Sequence, residues 1–260
     1  MTWHLRLFLP TSVTLAGLLL SAAILSAAEV EITYLANEGV LIRCGGQKIL
    51  VDALLRDSLD AYARHSSEVQ EKLETGKPPF DGVGLALATH FHLDHWDAGA
   101  VSRFLRNNPN ALFASTPDAT AMLPWSQRKQ VRSLWPDPDG KEVVHRGDMV
   151  VSAVRLGHGN TRNLGYRISI CGRTLVHLGD ADVSAANFAA LRRLGDADVA
   201  LVPFWWLLDP KSVEFVRKQW KPRNIMALHF ATTSSEEMRQ VQTRWPDAWV
   251  GSKPGESRSF

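Results

Sequence analysis

Two segments of this chain repeat one pattern: a strand, a glycine turn, a second strand and a terminal aspartate. They are residues 39–52, which end at Asp52, and residues 165–180, which end at Asp180. The repeat predicts that each half of the chain is built on a hairpin that leads into an α/β unit. Two such halves favour an α/β fold in which two packed sheets are covered by helices.

Apolar and turn-forming segments alternate along the rest of the chain. The charges and spacing of residues 58–76 are typical of surface helices, and a buried strand is expected at 83–88. Asp97 and Thr116 are suitable N-caps for the next two helices. No long linker interrupts residues 29–260, which predicts one domain. The later strands are expected at 149–156, 166–171, 174–178, 199–202 and 225–228, and the later helices at 185–194, 211–220 and from a capping box at 234–237.

The first 28 residues differ from the remainder. Arg6 is their only charged residue, an apolar stretch spans 13–25, and small residues follow up to Ala28. This layout is typical of a cleavable secretory signal peptide, with cleavage after Ala28 and a periplasmic or secreted mature protein. An uncleaved anchor or a buried first helix is the alternative, but the apolar run contains Ser and Gly and is shorter than the roughly 20 residues of a membrane span.

Charge and cysteine content restrict the partners and the chemistry. Lys and Arg total 29 against 27 Asp and Glu, so the chain lacks the cationic excess with which proteins hold a nucleic-acid backbone. The two cysteines, Cys44 and Cys171, each precede a glycine in a predicted hairpin turn. Export would permit a disulfide, but we expect two separate, partly buried residues without a catalytic or metal-binding role.

One loop concentrates metal-ligand chemistry. Residues 89–97 read Thr-His-Phe-His-Leu-Asp-His-Trp-Asp and directly follow the predicted strand 83–88, so they lie at the carboxyl end of that strand. Imidazole and carboxylate bind first-row divalent metals, and the lack of thiolates favours a hydrolytic zinc site over a closed structural one. Unrelated surface histidines would crowd several polar groups together without a partner. The expected ligands in this loop are His90, His92, Asp94 and His95.

The pattern His-x-His-x-Asp-His after an apolar strand resembles the signature of the metallo-β-lactamase superfamily. That resemblance implies a four-layer αββα sandwich of two mixed β-sheets with helices on the outer faces. It also implies three later ligands at strand ends, which the chain offers in the family's order as His158, Asp180 and His229. Carried over to these positions, it assigns His90, His92 and His158 to one metal, Asp94, His95 and His229 to the other, and Asp180 to a bridge between them.

Several polar residues near the motifs have more than one interpretation. Asp52 stands where the family has an early aspartate that orients the ligand loop, although a strand-end cap explains it equally well. His177 is expected in the core rather than at the metals. Asp182 and Asn160 are either supporting hydrogen-bond partners of the site or turn residues. Two histidines outside the motifs are expected at the surface; they are His65 and His145.

The resemblance implies an exported hydrolase in which a hydroxide bridging two Zn²⁺ ions cleaves an ester, lactone or phosphodiester bond, with Mn²⁺ or Fe as other metals. Asp94 would both bind a metal and accept a hydrogen bond from that hydroxide. A bridging Asp180 disfavours a β-lactamase-like amide hydrolase, and the chain looks most similar to the ascorbate-6-phosphate lactonase and N-acyl phosphatidylethanolamine phospholipase D branches. A di-iron oxygen- or sulfur-metabolising enzyme on the same fold is the other alternative.

Substrate selection is expected from residues that overhang the metals. Candidates are the helical insert 59–73 and the segment 203–209, although Trp205 and Trp206 in the latter are slightly better explained as core. Trp96 lies within the ligand loop and is expected to line the mouth of the site. Apolar walls favour a small-molecule substrate with an apolar portion. Two cations would suit an anionic substrate, although isolated surface cations are common: Arg162 and Lys211.

Overall fold

The computed structural model describes residue 1 and residues 29–59 and 61–260. The predicted signal peptide falls almost entirely on residues outside these ranges. Among the residues that are described, no helix has both the length and the apolar character needed to cross a membrane.

The first half of the described chain, together with its last strand, forms one seven-stranded sheet. Its strands are β1 (Glu31–Ala36), β2 (Gly39–Cys44), β3 (Gln47–Val51), β4 (Leu85–Leu87), β5 (Leu112–Ser115), β6 (Val131–Ser133) and the C-terminal strand (Ser257–Ser259), which is β14 in chain order. β1 to β3 are antiparallel, whereas β3 to β6 are parallel to one another. β14 pairs with the outer edge of β1.

The second half of the described chain repeats this plan in another seven-stranded sheet. Its strands are β7 (Glu142–Arg146), β8 (Met149–His158), β9 (Thr161–Ile170), β10 (Arg173–His177), β11 (Val199–Pro203), β12 (Asn224–Leu228) and β13 (Trp249–Val250). β7 to β10 are antiparallel, and β10 to β13 are parallel. The two hairpins that share a sequence pattern, β2–β3 and β9–β10, each adjoin the parallel part of their own sheet.

Helices cover the outer faces. They are α1 (Ser67–Thr75), α2 (Ala98–Asn107), α3 (Pro117–Ala121), α4 (Ala185–Leu194), α5 (Pro210–Phe215), which continues as a π-helix over Val216–Trp220, and α6 (Ser235–Arg244). One apolar cluster fills the space between the sheets, and two others join each sheet to its own helices. This arrangement confirms the predicted αββα sandwich with two mixed sheets.

The helix starts agree with expectation only in part. Asp97 caps α2 as expected, because its Oδ1 accepts from Ala100 N at 2.7 Å. Thr116 and Ser234 precede helices, but neither side chain makes a capping hydrogen bond, so the predicted capping box was wrong. The predicted helix at 58–76 is also shorter than expected. Its first part instead crosses to the loop after β12, and α1 begins only at Ser67.

A disulfide joins Cys44 to Cys171, with a Cα–Cα distance of 6.4 Å. The expectation of two separate cysteines was therefore wrong. The two residues are 127 positions apart in sequence, but Cys44 ends β2, Cys171 directly follows β9, and the hairpins face each other across the core between the sheets. That packing places the two turns side by side.

Two further expectations were wrong because the side chains are held inside. Trp96 is only 2% exposed and does not line the mouth, since its ring stacks on Phe113 beneath α2 at a centroid distance of 6.0 Å. His65 is half-buried rather than a surface residue, and its Nε2 lies 2.7 Å from the Ala53 carbonyl oxygen. His145 is exposed, as predicted.

Candidate metal centre

Four connections at the carboxyl ends of strands bring the predicted ligands together. The loop after β4 carries the histidine cluster, β8 ends at His158, the loop after β10 carries Asp180, and His229 directly follows β12. Gly179 allows the close approach of the β10 loop, because a Cβ at this position would lie 2.4 Å from Asn163 Oδ1 and 2.7 Å from Thr89 Cβ. Its φ of +54° also favours glycine.

The first group of facing donor atoms comes from His90, His92, His158 and Asp180, and these atoms lie within 4.8 Å of one another. The Nε2 atoms of His90 and His158 are each 3.7 Å from Asp180 Oδ2. His92 presents Nδ1, which is 3.0 Å from His90 Nε2. Three imidazole nitrogens and one carboxylate oxygen therefore converge on one point.

The second group consists of Asp94, His95 and His229. The Nε2 atoms of His95 and His229 lie 3.5 Å and 3.4 Å from Asp94 Oδ2. The same two nitrogens lie 3.3 Å and 3.1 Å from Asp180 Oδ1. Asp180 thus turns one oxygen toward each group, as a carboxylate shared by two metals would.

The donor atoms fit divalent metal ions. Three of them are buried and have no hydrogen-bond partner among the described residues: His95 Nε2, His229 Nε2 and Asp180 Oδ1. Buried polar atoms without a partner are rare and costly. Imidazole nitrogen and carboxylate oxygen are the donors that zinc and similar ions bind, and two sets that share a carboxylate fit a dinuclear centre.

The charges within the centre are strongly coupled. Burial opposes the ionisation of Asp94 and Asp180, but the facing imidazoles outweigh burial and hold the pKa of both carboxyls well below their usual range. Burial would likewise lower the pKa of His229, yet the Asp180 and Asp94 carboxylates raise it to about 9. A proton therefore binds tightly to His229, and a metal ion must displace it.

Hydrogen bonds behind the ligands fix their orientation. Asp52 is fully buried and accepts from Thr89 N and Thr89 Oγ1, both at 2.7 Å, and it faces His95 Nδ1 at 2.9 Å. Since the Thr89 hydroxyl donates to Asp52, it accepts from His90 Nδ1, 3.1 Å away. Both imidazoles thereby bond through Nδ1 behind the centre and turn Nε2, the atom that would bind a metal, into it. These contacts favour the interpretation of Asp52 as a residue that orients the ligand loop over that of a strand-end cap.

The other polar residues near the motifs have structural roles. His177 is fully buried, as expected, with Nε2 at 3.1 Å from the Glu38 carbonyl oxygen and Nδ1 accepting from Gly179 N. Asp182 closes the β8–β9 turn by accepting from Gly159 N at 2.7 Å. Asn160 and Lys211 are exposed.

Two residues of the β1–β2 turn belong to the centre but were not predicted from the sequence. Asn37 donates to Asp94 Oδ2 at 3.0 Å and to the Asp94 carbonyl at 3.3 Å, which fixes this carboxylate. Glu38 is fully buried close to His95 and Asp180, and its carboxyl oxygens lack a hydrogen-bond partner in the described part of the chain. Burial and the Asp180 carboxylate raise the pKa of Glu38 well above its usual range. Their position in the sequence, as two polar residues in a turn between two apolar strands, could have indicated a role for Asn37 and Glu38 at the site.

Aromatic and apolar side chains border the centre. Tyr62 and Trp205 both contact the His229 ring edge-on, with centroid distances of 4.5 Å and 5.1 Å. Trp205 therefore reaches the centre, whereas Trp206 is fully buried in the core as expected. Phe91 and Leu93, which flank His92 in sequence, are exposed.

The sandwich of two mixed sheets, with two His/Asp groups that share one carboxylate at the strand ends, defines the class of metallo-β-lactamase-fold, metal-dependent hydrolases. The chain belongs to the family described as "Beta-lactamase superfamily domain", which it matches over residues 31–229. No curated protein matches the chain.

Several solved structures share this fold. Igni18, described as a novel metallo hydrolase from Ignicoccus hospitalis, is 20% identical with a TM-score of 0.62, covering 89% of this chain and 98% of Igni18. The metallo-β-lactamase fold protein YhfI from Bacillus subtilis is 14% identical with a TM-score of 0.63, covering 90% and 100%. CmlA from Streptomyces venezuelae, a diiron β-hydroxylase, is 14% identical with a TM-score of 0.57, covering 90% of this chain but 54% of CmlA.

Proposed function

We propose that this chain is an exported hydrolase in which two zinc ions activate water to cleave an ester, lactone or phosphodiester bond. The observation that carries the proposal is the placement of Asp180 between two groups of donor atoms. Its Oδ2 faces His90 and His158, and its Oδ1 faces His95 and His229. A shared carboxylate of this kind suits two metals bound close enough to act on one substrate.

The protein's own residues hold and orient the reacting groups. Bound zinc would supply an acidified water and would polarise the bond to be cleaved. Asp94 Oδ2 faces two imidazoles, while Asp94 Oδ1 is buried without a partner among the described residues. We therefore assign to Asp94 the acceptance of a hydrogen bond from the attacking water. Asn37 keeps the carboxylate in that orientation.

The border of the centre favours a small-molecule substrate with an apolar portion. Phe91 is 39% exposed and Leu93 is 54% exposed, and both belong to the loop that carries the ligands. Exposed apolar side chains around a polar centre are typical of ligand-binding clefts. A lactone or ester with an apolar chain, or a lipid-like phosphodiester of the kind suggested by the resemblance to the phospholipase D branch, has the required character.

The disulfide supports the proposed export. Disulfides persist in the periplasm and outside the cell and are rare in the reducing cytosol. The Cys44–Cys171 bond therefore agrees with the signal-peptide pattern of the first 28 residues. Detection of a mature protein that begins at Glu29 in the periplasm or medium would test both points, and a full-length cytosolic protein would contradict them.

A di-iron enzyme is the second candidate. The His and Asp donors also suit iron, and the fold is shared with the diiron β-hydroxylase CmlA. Metal analysis of the purified protein separates the two candidates. We expect about two zinc ions per chain, whereas stoichiometric iron with an oxygen-dependent activity would contradict the hydrolase.

Substrate profiling tests the hydrolase itself. The metal-loaded protein is assayed against matched lactones, carboxylic esters, thioesters, phosphodiesters and a β-lactam, before and after chelation. We expect hydrolysis of one of the first classes, its loss on chelation and its return with zinc. Asp94→Ala should abolish the activity with the fold intact by circular dichroism, while the exposed control His145→Ala should be unaffected. Activity that survives Asp94→Ala would contradict the assigned role.

A further inference from the structure

A cavity of about 310 Å³ lies beside the predicted metal ligand His158, between the tip of the β8–β9 hairpin and Trp135. The hairpin register places His158 opposite Thr161 and Gly157 opposite Arg162. Thr161, which lines the cavity, has its Oγ1 3.3 Å from His92 Nε2. One residue thus separates the cavity from the first group of metal ligands.

Two guanidinium groups line this cavity and share one aromatic ring. Arg155 Cζ lies 4.4 Å from the centroid of the Trp135 ring, and Arg162 Cζ lies 5.5 Å from it. Stacking on an aromatic face orients a guanidinium and leaves its edge available for planar oxyanions. The ring therefore holds both cations at the cavity wall.

The charges at the cavity do not cancel. Arg162 pairs with Asp118 at 2.6 Å, and both side chains are partly exposed. Arg155 has no carboxylate within ion-pair distance among the described residues; Nη2 makes a long 3.4 Å hydrogen bond to the Trp135 carbonyl oxygen. Its Nε is buried without a partner in that part of the chain. The Arg155 guanidinium therefore keeps a positive charge at the cavity wall that no carboxylate of the described residues pairs with.

We propose that this cavity is an oxyanion subsite, in which Arg155 binds a carboxylate or phosphate group of the substrate that lies away from the bond being cleaved. The proposal rests on the proposed hydrolase function, and it adds a negative charge to the substrate class. An anion would pair with the Arg155 guanidinium, because charge-assisted hydrogen bonds to guanidinium are the strong ones. The apolar residues Phe91 and Leu93 would then contact another part of the substrate.

Anion binding tests the subsite without any catalytic activity. The metal-loaded protein is titrated with sulfate against chloride at constant ionic strength, and tryptophan fluorescence is recorded because Trp135 lines the cavity. We expect saturable binding that weakens by about tenfold or more in Arg155→Gln. Arg155→Lys should retain part of the affinity, since it keeps the charge but loses the planar contact.

Arg128→Gln is the matched control. Arg128 stacks on Trp125 in the same way, at 4.6 Å, but does not line this cavity. Unchanged sulfate binding in Arg155→Gln, an equal loss in Arg128→Gln, or no saturable binding to the wild type would each overturn the subsite. If Arg155→Gln does not fold, Arg162→Gln replaces it, with a smaller expected loss because Asp118 already pairs with Arg162.

Kinetics with paired substrates links the cavity to the reaction. Two esters, phosphodiesters or lactones that differ only by a distal carboxylate or phosphate are compared. Arg155→Gln should raise KM for the charged member by about tenfold, leave the neutral member unchanged and barely alter kcat. Separate carboxylate and phosphate pairs show which anion is preferred. Equal effects on both members would overturn the subsite. A failure to hydrolyse any substrate would instead overturn the proposed function, and the sulfate titration would then decide the subsite alone.

Discussion

The two related hairpins, β2–β3 and β9–β10, place the same residue type in two different environments. Asp52 follows the first hairpin and meets three protein donor atoms: two from Thr89 and one from His95. Asp180 follows the second hairpin and faces imidazole nitrogens of both donor groups. One carboxylate supports the ligand loop, and the other lies at the centre.

The distance from the strand end explains this difference. Asp52 comes directly after β3 and remains beside β4, where its N–H donates to the Leu87 carbonyl oxygen at 3.0 Å. Asp180 follows β10 after two intervening residues, one of which is Gly179. Those two residues carry the second carboxylate beyond the sheet edge. A repeated sequence pattern therefore fixes the hairpin but not the role of its terminal aspartate.

Removal of each carboxylate's charge should separate the two roles most clearly. Asp180→Asn removes the negative charge of the carboxylate that both metals would share. We therefore expect loss of metal and a decrease in kcat/KM of about a thousandfold or more. Asp52→Asn retains all proposed ligands but weakens the orientation of His95, and the expected decrease is about 10- to 100-fold. Metal content and kcat/KM are measured on the same preparations.

The different positions of Asp52 and Asp180 predict that Asp180→Asn loses more metal and more activity than Asp52→Asn. Equal losses of metal and activity would show that Asp52 is as important to the centre as Asp180. A double variant that is no worse than Asp180→Asn alone would agree with Asp52 acting through the same centre.

The turns of the two hairpins, which lie at the ends opposite to Asp52 and Asp180, should affect stability instead of catalysis. The Cys44–Cys171 bond closes a loop of more than 100 residues, so its loss should lower the free energy of unfolding by about 4 kcal/mol. We expect the Cys44→Ala/Cys171→Ala protein to show this loss in urea denaturation, with kcat/KM largely unchanged at low temperature. A large decrease in kcat with unchanged stability would instead couple the turns to the metal centre.

The structure shows which parts of the molecule a linear pattern can predict. The fold was confirmed because hairpin and α/β patterns are local, and the seven predicted ligands are brought together because strand ends in a sheet meet at one edge. The disulfide and the burial of Trp96 depend on how the two sheets and α2 pack, which spacing does not specify. Glu38 was missed for a related reason, since its turn reaches the centre only through contacts distant in sequence. Tyr62 lies in the insert 59–73, which was predicted to overhang the metals, and its ring contacts His229.

Protonation of His65, which lies in the same loop as Tyr62, should make the stability of the protein depend on pH. Burial lowers the pKa of His65 to about 4, despite its bond to the Ala53 carbonyl oxygen. The unfolded value is about 6.5, so the unfolded chain binds the proton more readily, and stability falls as the pH decreases from about 6.5 to 4. The contribution is at most about 3 kcal/mol.

His65→Gln can keep a donor to Ala53 without titrating. The difference in unfolding free energy between wild type and His65→Gln, measured by urea denaturation from pH 7 to 4, should change by up to about 3 kcal/mol. His145→Gln, at an exposed position, is the matched control and should follow the wild type. A His65→Gln curve parallel to the wild-type curve would contradict the burial of this imidazole.

The smallest expected effect contrasts the two aromatic neighbours of His229, one from each half of the chain. Burial and the Asp94 and Asp180 carboxylates raise the pKa of Tyr62, so its hydroxyl keeps its proton and can donate to a substrate oxygen. The Trp205 indole N–H is already bonded to the Ala181 carbonyl oxygen at 3.0 Å. Tyr62→Phe preserves the ring contact and should lower kcat/KM by up to about tenfold without loss of metal, whereas Trp205→Phe should act mainly on stability. If kcat/KM is unchanged in Tyr62→Phe, Tyr62 contributes to this site only through the packing of its ring against His229.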